Sequence, residues 1–537
     1  MTGTDELRRY RAPAWNEPVI SALGRPGERG LLVPPVEAGI RRAVGDARSM
    51  VPPAMRRAAP PGLPELSQPQ VLRHFLRLSQ EVLGMELNID LGEGTCTMKY
   101  SPKVHEQILQ EVAEIHPLQD EDTIQGVLEI LYRFGHTFLR EISGLDEFGF
   151  QAGGGSAAVF TNACILRKHL ERTGELASRN EIITTIFSHP CDAAVPASAG
   201  FKVVTLYPDP DLGRPTTEAL EAAVSERTAG LFITNPEDTG IFNTEIDEWT
   251  RIVHDAGGLC AYDQANANAL LGVTRAREAG FDMGFFNLHK TFSSPHGSDG
   301  PACGAVGVRK ELGRYLPVPV VAFDGTRYRL DYDRPDSIGK VRDFLGAVPV
   351  VVRAYAWATS MGADGLREAA EISMINNSYL ETKLLPIRGV GKPYSVRRRV
   401  DQIRYSWEQL KEETGLGTED VERRMVDYGI QSYFLSHHPW VVPEPFTPEP
   451  CETYSKSDLD YWAAVLRRIS DEAYSQPDVV RSAPHHSSAT PLDPGPLNDP
   501  ARWAMTWRAY LRKHGRSKGS GRAPRTTGSP RAPRRRR

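Results

Sequence analysis

The sequence predicts an α/β fold with a mainly parallel sheet, followed by a smaller α+β domain. Through residues 181–308, apolar runs of strand length alternate with stretches of helix length, the pattern of a parallel sheet with crossover helices. The runs 229–234, 258–262 and 284–286 each lead into polar residues, as strands do in open α/β sheets, where ligands bind at carboxyl ends. With 537 residues, 40% hydrophobic and 25% charged, the chain is long enough for two or three lobes around a large core.

Residues 1–60 are predicted to form an extended arm that wraps another lobe or subunit. The pairs Pro34-Pro35, Pro52-Pro53 and Pro60-Pro61 interrupt any regular element there. Ser67 then precedes a helical apolar period, which predicts a capped helix.

Residues 61–345 are predicted to form the large domain and 346–490 the small one. In the large domain we expect strands at 181–186 and 200–206, and helices at 159–170 and 217–224. In the small domain we expect helices at 350–356 and 365–369, with further α+β structure in 400–406 and 454–475. Residues 491–537 are of low complexity and are predicted to be a disordered basic tail.

Lys290 is the first candidate catalytic residue. It lies in the stretch Asn287–Gly297, which follows a buried strand and leads into a glycine-rich segment. Small and apolar neighbours and two nearby histidines favour the neutral amine, the form that reacts with carbonyl groups. A lysine after a strand is also compatible with a solvated loop residue.

Asp263 and Asn235 end two further strand-like runs, and Asp263 is 27 residues before Lys290. A lysine for a Schiff base, a carboxylate for a pyridinium nitrogen and an asparagine for a ring hydroxyl together suggest pyridoxal phosphate (PLP). An aspartate at a strand end can equally be a helix cap.

Gly155 and Ser156 belong to the glycine-rich run 151–158, which opens a helix. Free backbone N–H groups and the positive end of the helix dipole suit a phosphate group, although a flexible turn has the same composition. No Gly-Lys-Ser/Thr ending follows, which argues against a nucleotide-binding P-loop.

The stretch 287–300 resembles the PLP-lysine segment of the glycine cleavage P-protein, the decarboxylating glycine dehydrogenase, and especially its separate second subunit. The stretches 94–103, 115–126 and 350–369 are similar to the same family, and the resemblance spans roughly 420 residues.

The resemblance implies a PLP-dependent enzyme of fold type I. It implies that Lys290 binds the cofactor, that Asp263 keeps the ring nitrogen protonated, and that His189 stacks on the ring. Asn235, Gly155 and Ser156 complete the expected cofactor site. The implied activity is decarboxylation of glycine with transfer of the aminomethyl group to the lipoyl arm of the H-protein. The implied partners are that H-protein and a separate first subunit, in an oligomer.

Several polar positions depart from the family pattern. A polar residue and a carboxylate expected after the glycine run are missing around Val159. An expected His-Glu pair falls at Asp401-Gln402, and an expected Phe-His pair falls at Ile430-Gln431; the glycine run after the lysine has become Gly297–Gly300. A specialised paralogue acting on another small amino acid therefore stays open. A non-catalytic scaffold subunit is a further alternative, which the retention of Lys290 and Asp263 disfavours.

The remaining composition restricts partners and compartment. Residues 512–537 contain eleven Lys or Arg and no acid, so the first 511 residues carry a net charge of −15 against −4 for the whole chain. Nucleic-acid binding through the cations of this tail is a further alternative. It is disfavoured because no aromatic residue is interleaved after Tyr510 and the body is acidic. The six cysteines have neither zinc-site nor disulfide-framework spacing, and no signal or membrane segment is evident, so a cytoplasmic protein without a metal site is expected.

Overall fold

The computed structural model describes residues 7–61, 63–84, 87–92, 100–112, 115–116, 118–297, 300–396, 398–430 and 435–488. The strands are β1 (Glu147–Ala152), β2 (Glu181–Thr185), β3 (Lys202–Leu206), β4 (Thr228–Thr234), β5 (Leu259–Gln264), β6 (Met283–Asn287), β7 (Gly304–Val308), β8 (Val320–Phe323), β9 (Tyr328–Asp331), β10 (Tyr405–Ser406) and β11 (Pro445–Phe446). The helices are α1 (Ala38–Val44), α2 (Gln68–Gln80), α3 (Lys103–Val112), α4 (Gln125–Arg133), α5 (Arg140–Ser143), α6 (Gly155–Thr173), α7 (Pro190–Ser198), α8 (Thr217–Ala223), α9 (Ile246–Asp255), α10 (Val348–Leu384), α11 (Glu408–Thr414), α12 (Thr418–Met425), α13 (Lys456–Ser475) and α14 (Pro477–Arg481). The predicted tail at 491–537, most of the stretch 94–103, Gln431, Ser298 and Asp299 lie outside the described residues.

Seven strands form the main sheet, in the order β1-β7-β6-β5-β4-β2-β3. From β6 to β3 all neighbouring strands are parallel, whereas β7 is antiparallel to both β6 and β1. The mainly parallel sheet predicted from the sequence is therefore confirmed. Because parallel strands end on the same edge, the carboxyl ends of β4, β5 and β6 lie side by side.

Both faces of this sheet are covered, as a buried parallel sheet requires. Leu231 and Ile233 of β4 belong to one hydrophobic core, together with Trp249 of α9. Phe232, between them, belongs to the core on the opposite face, together with Leu166 of α6. Alternate side chains of a strand point to opposite faces, so one apolar run contributes to two helix layers.

A third hydrophobic core lies in the carboxyl-terminal lobe. It is built from α10 to α14 and from the two-stranded pair β10-β11, with Trp407 and Trp462 among its fully buried side chains. The segment 400–406 contributes only the short strand β10, less β structure than the sequence suggested. Ile89 and Leu91, from a distant part of the chain, complete this core.

Helix α10 joins the two lobes. Val350 and Leu366 pack in the core of the large lobe, whereas Leu380 and Leu384 pack in the core of the small lobe. The helical path is broken at Gly362, whose φ of 64° is left-handed. The boundary at 345/346 stays a prediction, and α10 carries residues of both cores.

The amino-terminal segment runs along the surface before the first long helix. Tyr10 donates its backbone N–H to the carbonyl of Asp427 at 3.0 Å, and Glu17 contacts His74 and Arg77 on α2 at 3.0 and 3.1 Å. Every residue from 31 to 61 is then exposed, including the short helix α1; we call residues 31–61 the exposed arm.

Two further sequence predictions can be compared with this fold. The capped helix is confirmed as α2, where the side chain of Gln70 accepts from the backbone N–H of Ser67 at 2.7 Å. The helix predicted at 159–170 is α6, which begins earlier, at Gly155. Among the described residues, no helix is both long and apolar enough to cross a membrane.

Candidate functional site

Lys290 lies in the turn that follows β6, and its side chain is 7% exposed. Its backbone N–H donates to the carbonyl of Asn287 at 3.0 Å, and its own carbonyl accepts from Ser293 at 3.2 Å. Ser293 has a positive φ of 54°, and its hydroxyl donates to the carbonyl of Tyr100 at 2.7 Å. These bonds fix the shape of the lysine turn and hold it against Tyr100.

A cavity opens at the carboxyl ends of β4, β5 and β6, and Lys290 lines it. Its lining residues are His189, Thr234, Pro236, Asp238, Asp263, Ala265, Asn266, Lys290, Asp401, Gln402, His437 and Glu449. Three residues predicted from the sequence, Lys290, Asp263 and His189, are therefore brought together around one cavity. The last part of the lining comes from the small lobe, which places this cavity between the lobes.

Asp263 belongs to the end of β5, directly opposite Thr234 of β4. One carboxyl oxygen, Oδ1, accepts the backbone N–H of Ala265 at 2.8 Å, whereas Oδ2 is buried and accepts no N–H group of the described residues. Burial raises the pKa of Asp263 to about 6, against the opposing effects of the Ala265 N–H and the positive charge of Lys290. The carboxyl is therefore ionised at neutral pH, and its Oδ2 is available to accept a hydrogen bond from a ligand.

His189 precedes α7 and acts as its amino-terminal cap. Its Nδ1 accepts the backbone N–H of Cys191 at 3.1 Å and lies 2.9 Å from the Sγ of that residue. Burial, together with the positive charge of Lys290, lowers the pKa of His189 to about 4. The imidazole is therefore neutral at physiological pH and presents a flat, uncharged ring to the cavity.

Asn235 follows β4, and its side-chain amide is hydrogen-bonded to the backbone of Asn243 in the loop after this strand. The side-chain oxygen accepts the backbone N–H of Asn243 at 2.8 Å, and the side-chain nitrogen donates to the Asn243 carbonyl at 3.2 Å. An amide nitrogen carries two hydrogens, so the predicted contact with a ring hydroxyl needs the second one and stays a prediction.

The glycine-rich run forms the amino-terminal end of α6. Gly154 has a φ of 149°, a conformation that glycine adopts readily, and a Cβ atom at Gly155 would lie 3.0 Å from the side-chain nitrogen of Asn287. The close approach ties this helix end to the strand that precedes Lys290. Ser156 is exposed at the second position of α6.

Sequence reasoning missed a buried ionic cluster at Asp238. His437 donates to its Oδ2 at 3.0 Å, and the fully buried Arg404 lies 3.5 Å from the same oxygen. Although burial alone would raise the pKa of Asp238, these two partners lower it below its usual value. Residues 238 and 437 are 199 positions apart, so no local pattern in the sequence indicates the pair.

A second missed group joins two carboxylates on the small-lobe side of the cavity. The side-chain nitrogen of Asn266 donates to Asp401 at 2.9 Å and to Glu449 at 2.6 Å, and Asn268 donates to Glu449 at 2.7 Å. Gln402 donates to the backbone carbonyl of Asp238 at 2.9 Å. The altered pair Asp401-Gln402 therefore lies at the cavity itself. Two further altered positions lie away from it: Ile430 is buried in the core of the small lobe, and Val159 is buried in a core of the large lobe.

The donor set fits PLP. The buried Oδ2 of Asp263 suits the N–H of a protonated pyridine ring, and the neutral imidazole of His189 suits its face. The end of α6 offers backbone N–H groups and a positive dipole for a phosphate. Lys290 supplies the amine. The fit rests on four separate elements that meet at one sheet edge.

The chain resembles known proteins over almost its whole length. It is 43% identical over 506 residues to a probable glycine dehydrogenase (decarboxylating) subunit 2 of Pyrococcus abyssi, covering 93% of this chain and 98% of the relative. The protein of the same name from Thermococcus onnurineus is 44% identical over 509 residues, with the same coverage. That of Caldanaerobacter subterraneus is 38% identical over 478 residues, covering 88% of this chain and 96% of the relative. No family model matches the chain.

Solved structures share the fold at low sequence identity. Glycine decarboxylase (P-protein) of the glycine cleavage system, in inhibitor-bound form, superposes with a TM-score of 0.68 at 19% identity, covering 82% of this chain and all of that one. The cysteine desulfurase CsdA of Escherichia coli superposes with a TM-score of 0.55 at 14% identity, covering 73% of this chain and 97% of that one. These likenesses show the fold, which is the fold type I architecture predicted from the sequence.

Proposed function

The chain belongs to the family of glycine dehydrogenase (decarboxylating) subunit 2, and from this premise we propose that it binds PLP at Lys290 and decarboxylates glycine. The observation that carries the proposal is the burial of Lys290 and Asp263 around one cavity at adjacent strand ends. In the overall reaction the bond between the α-carbon and the carboxyl group of glycine breaks and carbon dioxide leaves. The remaining aminomethyl group bonds to one sulfur of the oxidised lipoyl arm of an H-protein, and the other sulfur is reduced to a thiol.

Each residue of the site has a distinct role in this proposal. When bound, PLP supplies an electron sink for the pair of electrons that the departing carboxyl group leaves behind. Lys290 provides the amine that holds the cofactor aldehyde and that can take up or release a proton next to the substrate. Asp263, ionised above about pH 6, holds a proton at the ring nitrogen. His189 supports the ring without adding a charge, and the end of α6 holds the phosphate through backbone N–H groups.

Borohydride reduction of the purified protein tests the cofactor assignment. A reduced phosphopyridoxyl group is expected on the peptide that contains Lys290, because only an imine at that amine is trapped. Lys290→Ala is expected to abolish the label and turnover. Lys202→Ala, at an exposed position at the start of β3, is the matched control and is expected to keep both. A label on another lysine, or none on cofactor-loaded protein, contradicts the proposal.

The first subunit of the glycine dehydrogenase is the partner that we propose for the exposed arm. Residues 31–61 include Leu31, Leu32, Val33 and Ile40, all more than half exposed, and none of the arm is buried against its own chain. Exposed apolar side chains that cluster on one segment are typical of an interface surface. The arm carries five arginines against two acids, so the complementary surface of the partner is expected to be apolar with acidic residues.

A different small amino acid is the second candidate substrate, and the pair Asp401-Gln402 favours it. Both residues line the cavity of Lys290, where the family pattern predicts a His-Glu pair. The change in absorption of the cofactor on addition of single amino acids tests the two candidates. A change with glycine at the lowest concentration supports glycine decarboxylation, whereas a stronger response to another amino acid supports the specialised paralogue.

A further inference from the structure

A second carboxyl group lies against Asp263. Asp192 is the third residue of α7, is 1% exposed, and its Oδ2 accepts the hydroxyl of Thr234 at 3.4 Å. Thr234 is the residue directly opposite Asp263 in the sheet, so Asp192 lies over the ends of β4 and β5. One oxygen of each carboxyl and the Sγ of Cys191 all lie within 4.8 Å of one another.

Two carboxyl groups in contact inside a protein cannot both be ionised, because their mutual repulsion is poorly screened there. Asp263 has the features that stabilise an anion: a backbone N–H on Oδ1 and the positive charge of Lys290 nearby. Asp192 is fully buried, and this burial and the charge of Asp263 raise its pKa well above the usual value. The single proton of the pair therefore belongs to Asp192.

The surroundings of the pair support this assignment. Asp238 adds negative charge near both carboxyls and so disfavours a second anion, whereas Lys290 acts on Asp263. The thiol of Cys191 is neutral, since burial and the negative charge of Asp263 raise its pKa. Tyr262, which precedes Asp263 on β5, is neutral as well, since burial chiefly raises the pKa of its hydroxyl.

We propose that Asp192 is a positioning residue that stays protonated and donates its O–H hydrogen to the ionised Asp263, fixing the carboxylate that the cofactor ring nitrogen contacts. The inference rests on the PLP site of the proposed function. The donated hydrogen bond holds Asp263 in one orientation and delocalises its charge, so the ring nitrogen meets a weaker base than an isolated buried carboxylate. Without this donor, the buried carboxylate of Asp263 would lose a hydrogen bond and would be less stable as an anion.

Isosteric variants distinguish this arrangement from its reverse. In Asp192→Asn the side-chain amide can still donate to Asp263, so the affinity for PLP is expected to stay within about threefold of wild type. In Asp192→Ala the donor is lost and the affinity is expected to fall at least about tenfold. Asp263→Asn is also expected to lower the affinity at least about tenfold, because the anion itself is removed. If Asp192→Asn loses the cofactor while Asp263→Asn keeps it, the proton lies on Asp263 and the proposal is wrong.

Thermal unfolding of the cofactor-free protein gives a readout that does not depend on PLP. A carboxyl with a raised pKa stabilises the fold most below its usual pKa, and this stabilisation is lost as the pH rises through the folded-state value. Asn at position 192 does not titrate, so the Tm of Asp192→Asn is expected to rise relative to wild type from pH 5 to pH 8. A constant Tm difference between Asp192→Asn and wild type over this range contradicts the proposal that Asp192 is protonated in the folded protein. If the wild-type protein fails to bind PLP, the cofactor proposal falls, and the Tm comparison still decides whether Asp192 is protonated.

Discussion

At the scale of single residues, Asp263 is the side chain whose charge matters most to the proposed chemistry. Asp263→Asn is expected to leave the fold intact, because the amide oxygen can keep the bond from the backbone N–H of Ala265. Turnover is expected to fall at least about 100-fold, since the ring nitrogen loses the anion that keeps it protonated. Steady-state kinetics with saturating PLP checks the prediction.

Asp255→Asn is the matched control, because Asp255 is 68% exposed at the end of α9.

Burial of Asp263 also sets the sign of its contribution to the pH dependence of stability, because burial raises its pKa from 3.8 to about 6. The stabilisation from its protonated form is complete below pH 3.8 and is lost as the pH rises through about 6. Wild-type turnover for Asp263→Asn would contradict the electron-sink role.

The residues that end strands could be predicted from the sequence, whereas those that come from other lobes could not. Lys290 and Asp263 follow apolar runs, and parallel strands bring such positions to one edge. His437 and Glu449 reach the cavity only because the small lobe packs against that edge, which no local pattern encodes. Asp192 lies three residues after His189 in the sequence, but a carboxyl at the start of a helix is ordinarily a solvated cap.

At the scale of elements, the amino-terminal end of α6 provides a test that separates phosphate binding from folding. Ser156 is exposed at the second position of this helix. Ser156→Asp places a negative charge in the first turn, which is expected to stabilise the helix by about 0.3–1 kcal/mol through the helix dipole. The same charge repels the phosphate, so PLP affinity is expected to fall at least about tenfold. Equilibrium titration of the cofactor-free protein measures the loss.

Ser156→Asn is the control for this experiment, since it has the size of aspartate without the charge. It is expected to keep PLP affinity within about threefold of wild type. Equal affinities for the aspartate and asparagine variants would mean that the phosphate binds elsewhere in the chain.

Most elements of the large lobe were predictable because strand and helix periods alternate cleanly there. The antiparallel direction of β7 was not, since its five residues are apolar or glycine and carry no directional signal. The two helices predicted at 350–356 and 365–369 are parts of the single helix α10, whose helical path is broken between them at Gly362. The start of α6 was placed four residues late, since the glycines at 153–155 predicted a loop.

At the scale of the whole molecule, the exposed arm is expected to act in assembly and not in folding. The triple variant Leu31→Ser, Leu32→Ser and Val33→Ser removes side chains that are 76%, 80% and 78% exposed. Its own stability is expected to change by less than about 0.5 kcal/mol, as is usual for exposed positions. Its affinity for the first subunit is expected to fall at least about tenfold, because three apolar contacts are lost. Sedimentation of the mixed subunits measures the complex.

Leu118→Ser is the control for the arm, because Leu118 is 87% exposed outside it. The control is expected to bind the first subunit as the wild type does. An unchanged complex with the triple variant would remove the arm from the interface, and a lowered Tm of the isolated variant would show that the arm contributes to its own fold.

Deletion of residues 512–537 tests whether the basic tail is needed for catalysis or serves only to bind nucleic acid. The prediction rests on composition alone: eleven cations and no acid within these residues. Cofactor content, Tm and turnover are expected to stay unchanged, whereas any salt-sensitive retention on heparin is expected to disappear. Loss of cofactor or activity on deletion would connect the tail with the active site or an interface.

The exposed arm also sets a condition on how this chain is produced. If the first subunit covers the exposed arm as proposed, a copy made without it keeps the apolar side chains of residues 31–61 in water, and we expect like copies to associate through them. Surplus chain is therefore a source of precipitate, and a cell gains by synthesising the two subunits in equal amounts. In the laboratory the same reasoning favours co-expression from one transcript over mixing separately purified subunits.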